Sequence, residues 1–228
     1  RELFDKYEFD GLELDFLRSA PYFLPGTAEA NAYLLTEFMR RIRQHLNLRG
    51  NELGRIIKLA VRVDESIEAC HLDGFEIEEW INESLIDILI LGSGVIDINI
   101  EDFKDIAKGK EVDIYPCLYG YPSKYYPIPR ELAAGLAWNY WQQGADGLYL
   151  FNWFPHHIPI QLLYTKNNLV QTELMKILGD SQSIFNNEIQ FMFAADRGRP
   201  MANHPSNWLH CVLPETLRRG EFLEFTIR

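Results

Sequence analysis

Cysteine is scarce in this chain: its three residues, Cys70, Cys117 and Cys211, stand far apart with no metal-like spacing. That excludes a disulfide framework and a zinc ribbon, and leaves buried free thiols as the expectation. Basic charge is also short, with 22 Lys and Arg against 33 Asp and Glu and a net charge of -11. Nucleic acid and anionic membrane surfaces both need a basic face, so neither is expected as a partner. Neutral or cationic ligands suit this balance better. Long hydrophobic runs are missing too: the nearest, 86–100, is broken by Asp87, Gly92, Gly94 and Asp97, so no transmembrane segment is expected. No H-x-H or H-E-x-x-H pattern occurs, which removes the usual zinc-hydrolase signature. No G-x-G-x-x-G follows a strand-like run, which removes support for a dinucleotide site. Neither a metal nor a cofactor is expected.

What is present is ample for a core: 228 residues, 47% hydrophobic and 13% aromatic. Five apolar or β-branched runs read as strands, at 10–16, 57–63, 87–91, 112–118 and 147–154. Helical spacing of apolar residues fills the intervals at 28–48, 77–85, 100–108 and 130–143, with a further helix at 160–178. Gly50 and Gly144 stand where helix C-caps belong. Regular β/α alternation means a parallel sheet, doubly wound or closed into a barrel. The first and last runs open alike, Phe9-Asp10-Gly11-Leu12-Glu13-Leu14 against Ala145-Asp146-Gly147-Leu148-Tyr149-Leu150, a faint internal repeat that favours the barrel. A complete barrel needs about 250 residues, so five units imply that about three more precede them.

The expectation is therefore residues 1–180 as the C-terminal part, about strands 4 to 8, of a (β/α)8 TIM barrel. Residues 181–228 change grammar: strand-like runs at 189–193, 209–213 and 222–227 suggest the start of a β-rich C-terminal domain, cut short. No initiator Met opens the chain, so localisation is left open; a secreted or periplasmic setting would suit a protein acting on polysaccharide. The oligomeric state is open as well.

The run Phe9 to Arg18 carries the most information. Alternation along a strand puts Gly11, Glu13 and Asp15 on one face and Leu12, Leu14 and Phe16 on the other. Two carboxylates on one face of a buried strand are costly unless they open onto a pocket or a partner. The second strand repeats the pattern, with Ala60, Arg62 and Asp64 opposite Leu59, Val61 and Val63. Strand C-terminal ends and the loops after them add Arg18, Glu65, Tyr119, Tyr121, Asn152, Trp153 and His156. Carboxylates, arginine and aromatic rings around one mouth suit an oligo- or polysaccharide, whose hydroxyls take bidentate hydrogen bonds and whose C–H faces stack. Glycoside cleavage needs one carboxyl group to protonate the leaving oxygen and another to attack or to activate water. The candidate catalytic residues are Asp15, Asp64 and Glu65. The candidate substrate-binding residues are Glu13, Arg18, Arg62, Tyr119, Tyr121, Asn152, Trp153 and His156.

The strand motifs Asp10 to Arg18, Ala60-Val61-Arg62-Val63 and Ala145 to Trp153 resemble those of glycoside-hydrolase-like TIM barrels, above all the family 10-like glycosylhydrolase group. More remotely, the first motif is similar to the D-G-x-D-x-D-x-E strand of chitinase-type barrels. Its terminal Asp is similar to the strand-four nucleophile of amylase-type and α-galactosidase-type barrels. The resemblance implies hydrolysis of O-glycosidic bonds with Asp15 as nucleophile or charge stabiliser. Leu17 stands where the chitinase motif carries its catalytic Glu, so that mechanism does not transfer. A non-catalytic glycan-binding protein is the alternative. A Mg2+-dependent barrel of the enolase type, begun by Glu13, Asp15 and Asp64, is the third reading.

Overall fold

Runs such as Leu59-Ala60-Val61-Arg62-Val63 and Ile88-Leu89-Ile90-Leu91 are too short for buried helices, and their β-branched residues pack well on a pleated surface, so they form the middle of a sheet. The computed structural model describes residues 2–18, 20–92, 98–120, 128–153 and 172–186. Strand β1 (Gly11–Asp15) is followed by β2 (Lys58–Val63), β3 (Ile88–Leu91), β4 (Asp113–Tyr119) and β5 (Tyr149–Phe151). All four pairings are parallel and the strand order is sequential. Gly11 stands opposite Lys58, Asp15 opposite Arg62, and Tyr119 opposite Phe151.

A short helix α1 (Glu2–Lys6) precedes β1, and a 3-10 turn (Phe16–Arg18) ends it. Helix α2 (Ala28–Leu53) returns the chain to β2; α3 (Ile67–Asp73) and α4 (Ile77–Asn82) lead to β3; α5 (Ile100–Ile106) leads to β4. Helix α6 (Arg130–Gln142) precedes β5, and α7 (Ser181–Phe185) follows. Right-handed crossovers that all step the same way along a sheet place their helices on one face. The packing agrees: Met39 and Leu46 of α2, Trp80 of α4, Phe103 of α5 and Tyr140 of α6 bury in one cluster with Leu59, Val61, Leu89, Leu91, Ile114 and Leu118. Each of these side chains contributes about 1.5–3 kcal/mol by leaving water. The other face of the sheet is left without helices from these crossovers.

The expectation of strands 4 to 8 of a closed (β/α)8 barrel followed by a β-rich domain is overturned. The structure is an α/β domain in which the described strands form one five-stranded, all-parallel half-barrel sheet, with β1 and β5 outermost among them. Hydrophobic periodicity counts βα units, and closure is decided by whether the edge strands pair, which periodicity does not report. Here they do not pair. They nevertheless approach across the concave side, because the sheet curls far enough for Tyr149 of β5 to donate its phenol O–H to Glu13 of β1 at 2.9 Å. The strand-like runs at 189–193, 209–213 and 222–227, and most of the helix expected at 160–178, lie outside the described residues.

Local differences have local causes. Helix α2 passes Gly50 and stops three residues later than that glycine's position suggests, at Leu53. Gly54, with φ 68°, takes the left-handed turn and donates to the carbonyls of Gly50 and Asn51. Gly50 stays inside the helix because the Arg55 carbonyl lies against it; a Cβ there would stand 2.5 Å from that oxygen. Helix α3 escapes hydrophobic periodicity because it is only seven residues long. Its N-cap, Ser66, accepts from the Ala69 amide at 3.2 Å and is the one signal that could have found it.

Candidate functional site

Even-numbered leucines of β1 face the helices, so the odd positions face the concave side, and the same alternation runs through the sheet. Glu13 and Asp15 of β1, Ala60 and Arg62 of β2, Ile88 and Ile90 of β3, Tyr115, Cys117 and Tyr119 of β4, and Tyr149 and Phe151 of β5 share this face. Two glycines make room for it. A Cβ on Gly11 would lie 2.9 Å from the Lys58 carbonyl, and one on Gly147 would lie 2.7 Å from the Tyr115 ring. The two occupy equivalent places in the repeat noted above, which also aligns Glu13 with Tyr149, the pair that meets across the face.

Arg62 is the centre of the arrangement. It is 1% exposed, a position that demands compensation for its charge. Asp15 supplies it: Nε donates to Oδ1 at 3.0 Å and Nη2 to Oδ2 at 2.5 Å, a bidentate pair. The guanidinium also lies over the Phe151 ring, 4.0 Å from its centroid. Burial lowers the Arg62 pKa, but the Asp15 hydrogen bonds and charge outweigh it and the net direction is up. Its Nη1 is buried and meets no hydrogen-bond acceptor among the described residues. Cys117 is its neighbour on β4: burial pushes that thiol up to about 12, against the opposing pull of the Arg62 charge.

Both carboxylates of β1 keep an open side. Asp15 Oδ1 accepts from Arg62 and from the Leu17 amide at 3.1 Å, while Oδ2 accepts, among the described residues, from Arg62 alone. A carboxylate offers about four lone-pair sites, so Oδ2 retains acceptor capacity, and the side chain is 33% exposed. Glu13 is exposed; Oε1 takes the Tyr149 phenol. Burial and the Glu13 carboxylate push the Tyr149 phenol up to about 12.

The other expected residues are distributed unevenly. Tyr119 stacks on Phe151, with centroids 5.4 Å apart, and Asn152 donates to its phenol oxygen at 3.4 Å. Asn152 holds a left-handed φ of 48° just past β5. Trp153 packs against the hydrophobic core, and Arg18 is exposed at the end of the 3-10 turn. Tyr121 and His156 lie outside the described residues. Asp64 and Glu65 are each 1% exposed, buried where the chain leaves β2. Their backbone carbonyls accept from the Cys70 thiol and the Asn99 amide. The charges gather near Cys70, whose thiol pKa is raised well above the ordinary range by burial first and by Asp64 and Glu65 next. The Asp64 and Glu65 side chains are therefore closed off from solvent, unlike Glu13 and Asp15, and the Tyr22 phenol feels the charges of both Asp15 and Asp64.

Reading strand ends alone passes over Phe151, Cys117 and Tyr149 as site residues. Cys117 and Tyr149 lie two positions inside their strand ends and Phe151 is the last residue of β5; strict alternation back from Tyr119 reaches Cys117, and back from Trp153 reaches Phe151 and Tyr149. Among the described residues, no group of three or more His, Cys, Asp or Glu side chains is placed to hold a metal ion. Glu13, Asp15 and Asp64 are not gathered into such a set. No helix among the described residues is long and apolar enough to cross a membrane. No protein-family model matches the chain, and no curated protein matches it. The likeness to glycoside-hydrolase-like proteins rests on the strand motifs alone.

Proposed function

We propose that the concave face binds a carbohydrate and that the protein hydrolyses an O-glycosidic bond there. The observation that supports this best is the pair Glu13 and Asp15, adjacent on one face, each anchored through one side and open on the other. A strand rise of about 3.3 Å per residue sets their Cα atoms about 6.6 Å apart along β1, a spacing from which the two side chains can bring their carboxyl groups nearer or farther. Glycosidases separate their two carboxyl groups by about 5 to 9.5 Å. In this reading Asp15, fixed in orientation by Arg62, is the nucleophile or charge stabiliser, and Glu13 is the accessible proton donor. Tyr119, Asn152 and the exposed edges of the aromatic rings contact the sugar. Asp64 and Glu65 are too deeply buried to reach it without rearrangement, so they are given no part in the reaction.

A second reading has its own support. Asp15 is held by both Arg62 nitrogens, which suits a site that binds glycan without cleaving it. One experiment separates the two. The protein is screened against a panel of oligo- and polysaccharides for hydrolysis and for binding, together with Asp15→Asn. Hydrolysis by the wild type that falls by about a hundredfold or more in Asp15→Asn, with binding retained, supports catalysis. Binding without hydrolysis supports the second reading, and unchanged hydrolysis in Asp15→Asn removes Asp15 from the mechanism.

A further inference from the structure

The contact between Glu13 and Tyr149 joins residues 136 positions apart, on strands at opposite edges of the sheet. Its place in the site calls for an explanation beyond packing. We propose that Tyr149 is a positioning residue for Glu13: its phenol O–H holds Oε1, so that Oε2 is the oxygen the carboxylate turns toward a ligand on the concave face. The inference rests on the carbohydrate-hydrolysis reading given above and adds to it a residue that touches Glu13 instead of substrate.

Three observations carry the argument. The O···O distance of 2.9 Å is a full hydrogen bond in which the phenol donates to Oε1, an oxygen that accepts equally when Glu13 carries on Oε2 the proton it is to give. Among the described residues no second donor to Glu13 occurs, so this contact is the one there that restrains rotation about its side chain. Gly147, two residues before Tyr149 on the same face, leaves space for the Tyr115 ring, so β5 is seated by that packing as well as by its ladder. A donor that must serve throughout the physiological range must not ionise there. The charged and titratable groups near Tyr149 are Glu13, Arg62 and Cys117, and their combined effect with burial holds the phenol at about 12.

The test uses the full chain with 13C at the tyrosine Cζ atoms. The Tyr149 resonance is assigned by its loss in Tyr149→Phe, near pH 8 where the fold is intact. In Glu13→Gln that resonance moves upfield, because a phenol that loses a carboxylate acceptor loses deshielding. A resonance that stays in place overturns the pairing. On any glycan that the wild type hydrolyses, Tyr149→Phe lowers kcat by about tenfold while KM changes less than about threefold, since the lost contact orients a reacting group and does not bind the sugar. Wild-type kcat in Tyr149→Phe overturns the proposal. If the wild type hydrolyses nothing, the hydrolysis reading fails; the positioning of Glu13 then stands if the resonance moves and falls if it does not.

Discussion

At the scale of single residues, Arg62 shows how a buried charge can be made tolerable. Its guanidinium is matched by the two oxygens of Asp15 and by the face of Phe151, contacts that need a planar fork. An ammonium group keeps the charge and loses both the fork and the stacking. Arg62→Lys is therefore expected to destabilise the fold by about 2–3 kcal/mol. Urea unfolding should show a lower midpoint at unchanged slope, and a midpoint equal to the wild type would mean that charge alone matters here. Arg62 was legible from sequence as a neighbour of Asp15, because alternation gives both adjacent strands a charged face. The ring beneath it was not, since Phe151 arrives from a strand 89 positions away.

At the scale of elements, β5 is three residues long and owes its seat to what surrounds it. Gly147 is central to this, because the Tyr115 ring fills the volume a Cβ would need. Gly147→Ala should cost about 1–3 kcal/mol through overpacking. The cost should shrink in a Tyr115→Leu background, where the obstructing ring is gone, and a thermodynamic cycle of the two substitutions measures that coupling. Strictly additive losses would show that the ring is not the obstacle. The strands themselves were readable, since β-branched and leucine runs flanked by polar turns leave few other choices. Their edges drifted by a residue or two, and β5 was expected to run from 147 to 154, longer than the three residues that pair.

For the whole molecule, the groups that burial holds neutral couple stability to alkaline pH. Tyr149 is raised from 10.0 to about 12, Cys117 from 9.0 to about 12, and Cys70 well above 9.0. In the unfolded chain these groups lose protons first, so over this window the native state binds more protons and stability falls as pH rises. The contribution is intact below pH 9 and is lost as pH climbs from about 9 through about 12. Urea unfolding at stepped pH should show that fall, and Tyr149→Phe should make it shallower above pH 10. An identical slope in the variant would mean that Tyr149 does not titrate with the fold.

The sequence alone determined that the chain alternates strand and helix, that the sheet is parallel, and that Glu13, Asp15 and Arg62 share a face. It did so because those properties follow from local periodicity and from the two-residue repeat of a strand. Only the tertiary structure decided that the five described strands form a half-barrel curled so that β5 reaches β1. Edge pairing and curvature are set by contacts between distant residues, which no local pattern encodes. The same holds for burial: Asp64 and Glu65 look like Asp15 in the sequence, yet both are closed off from solvent near Cys70 while Asp15 stays partly exposed.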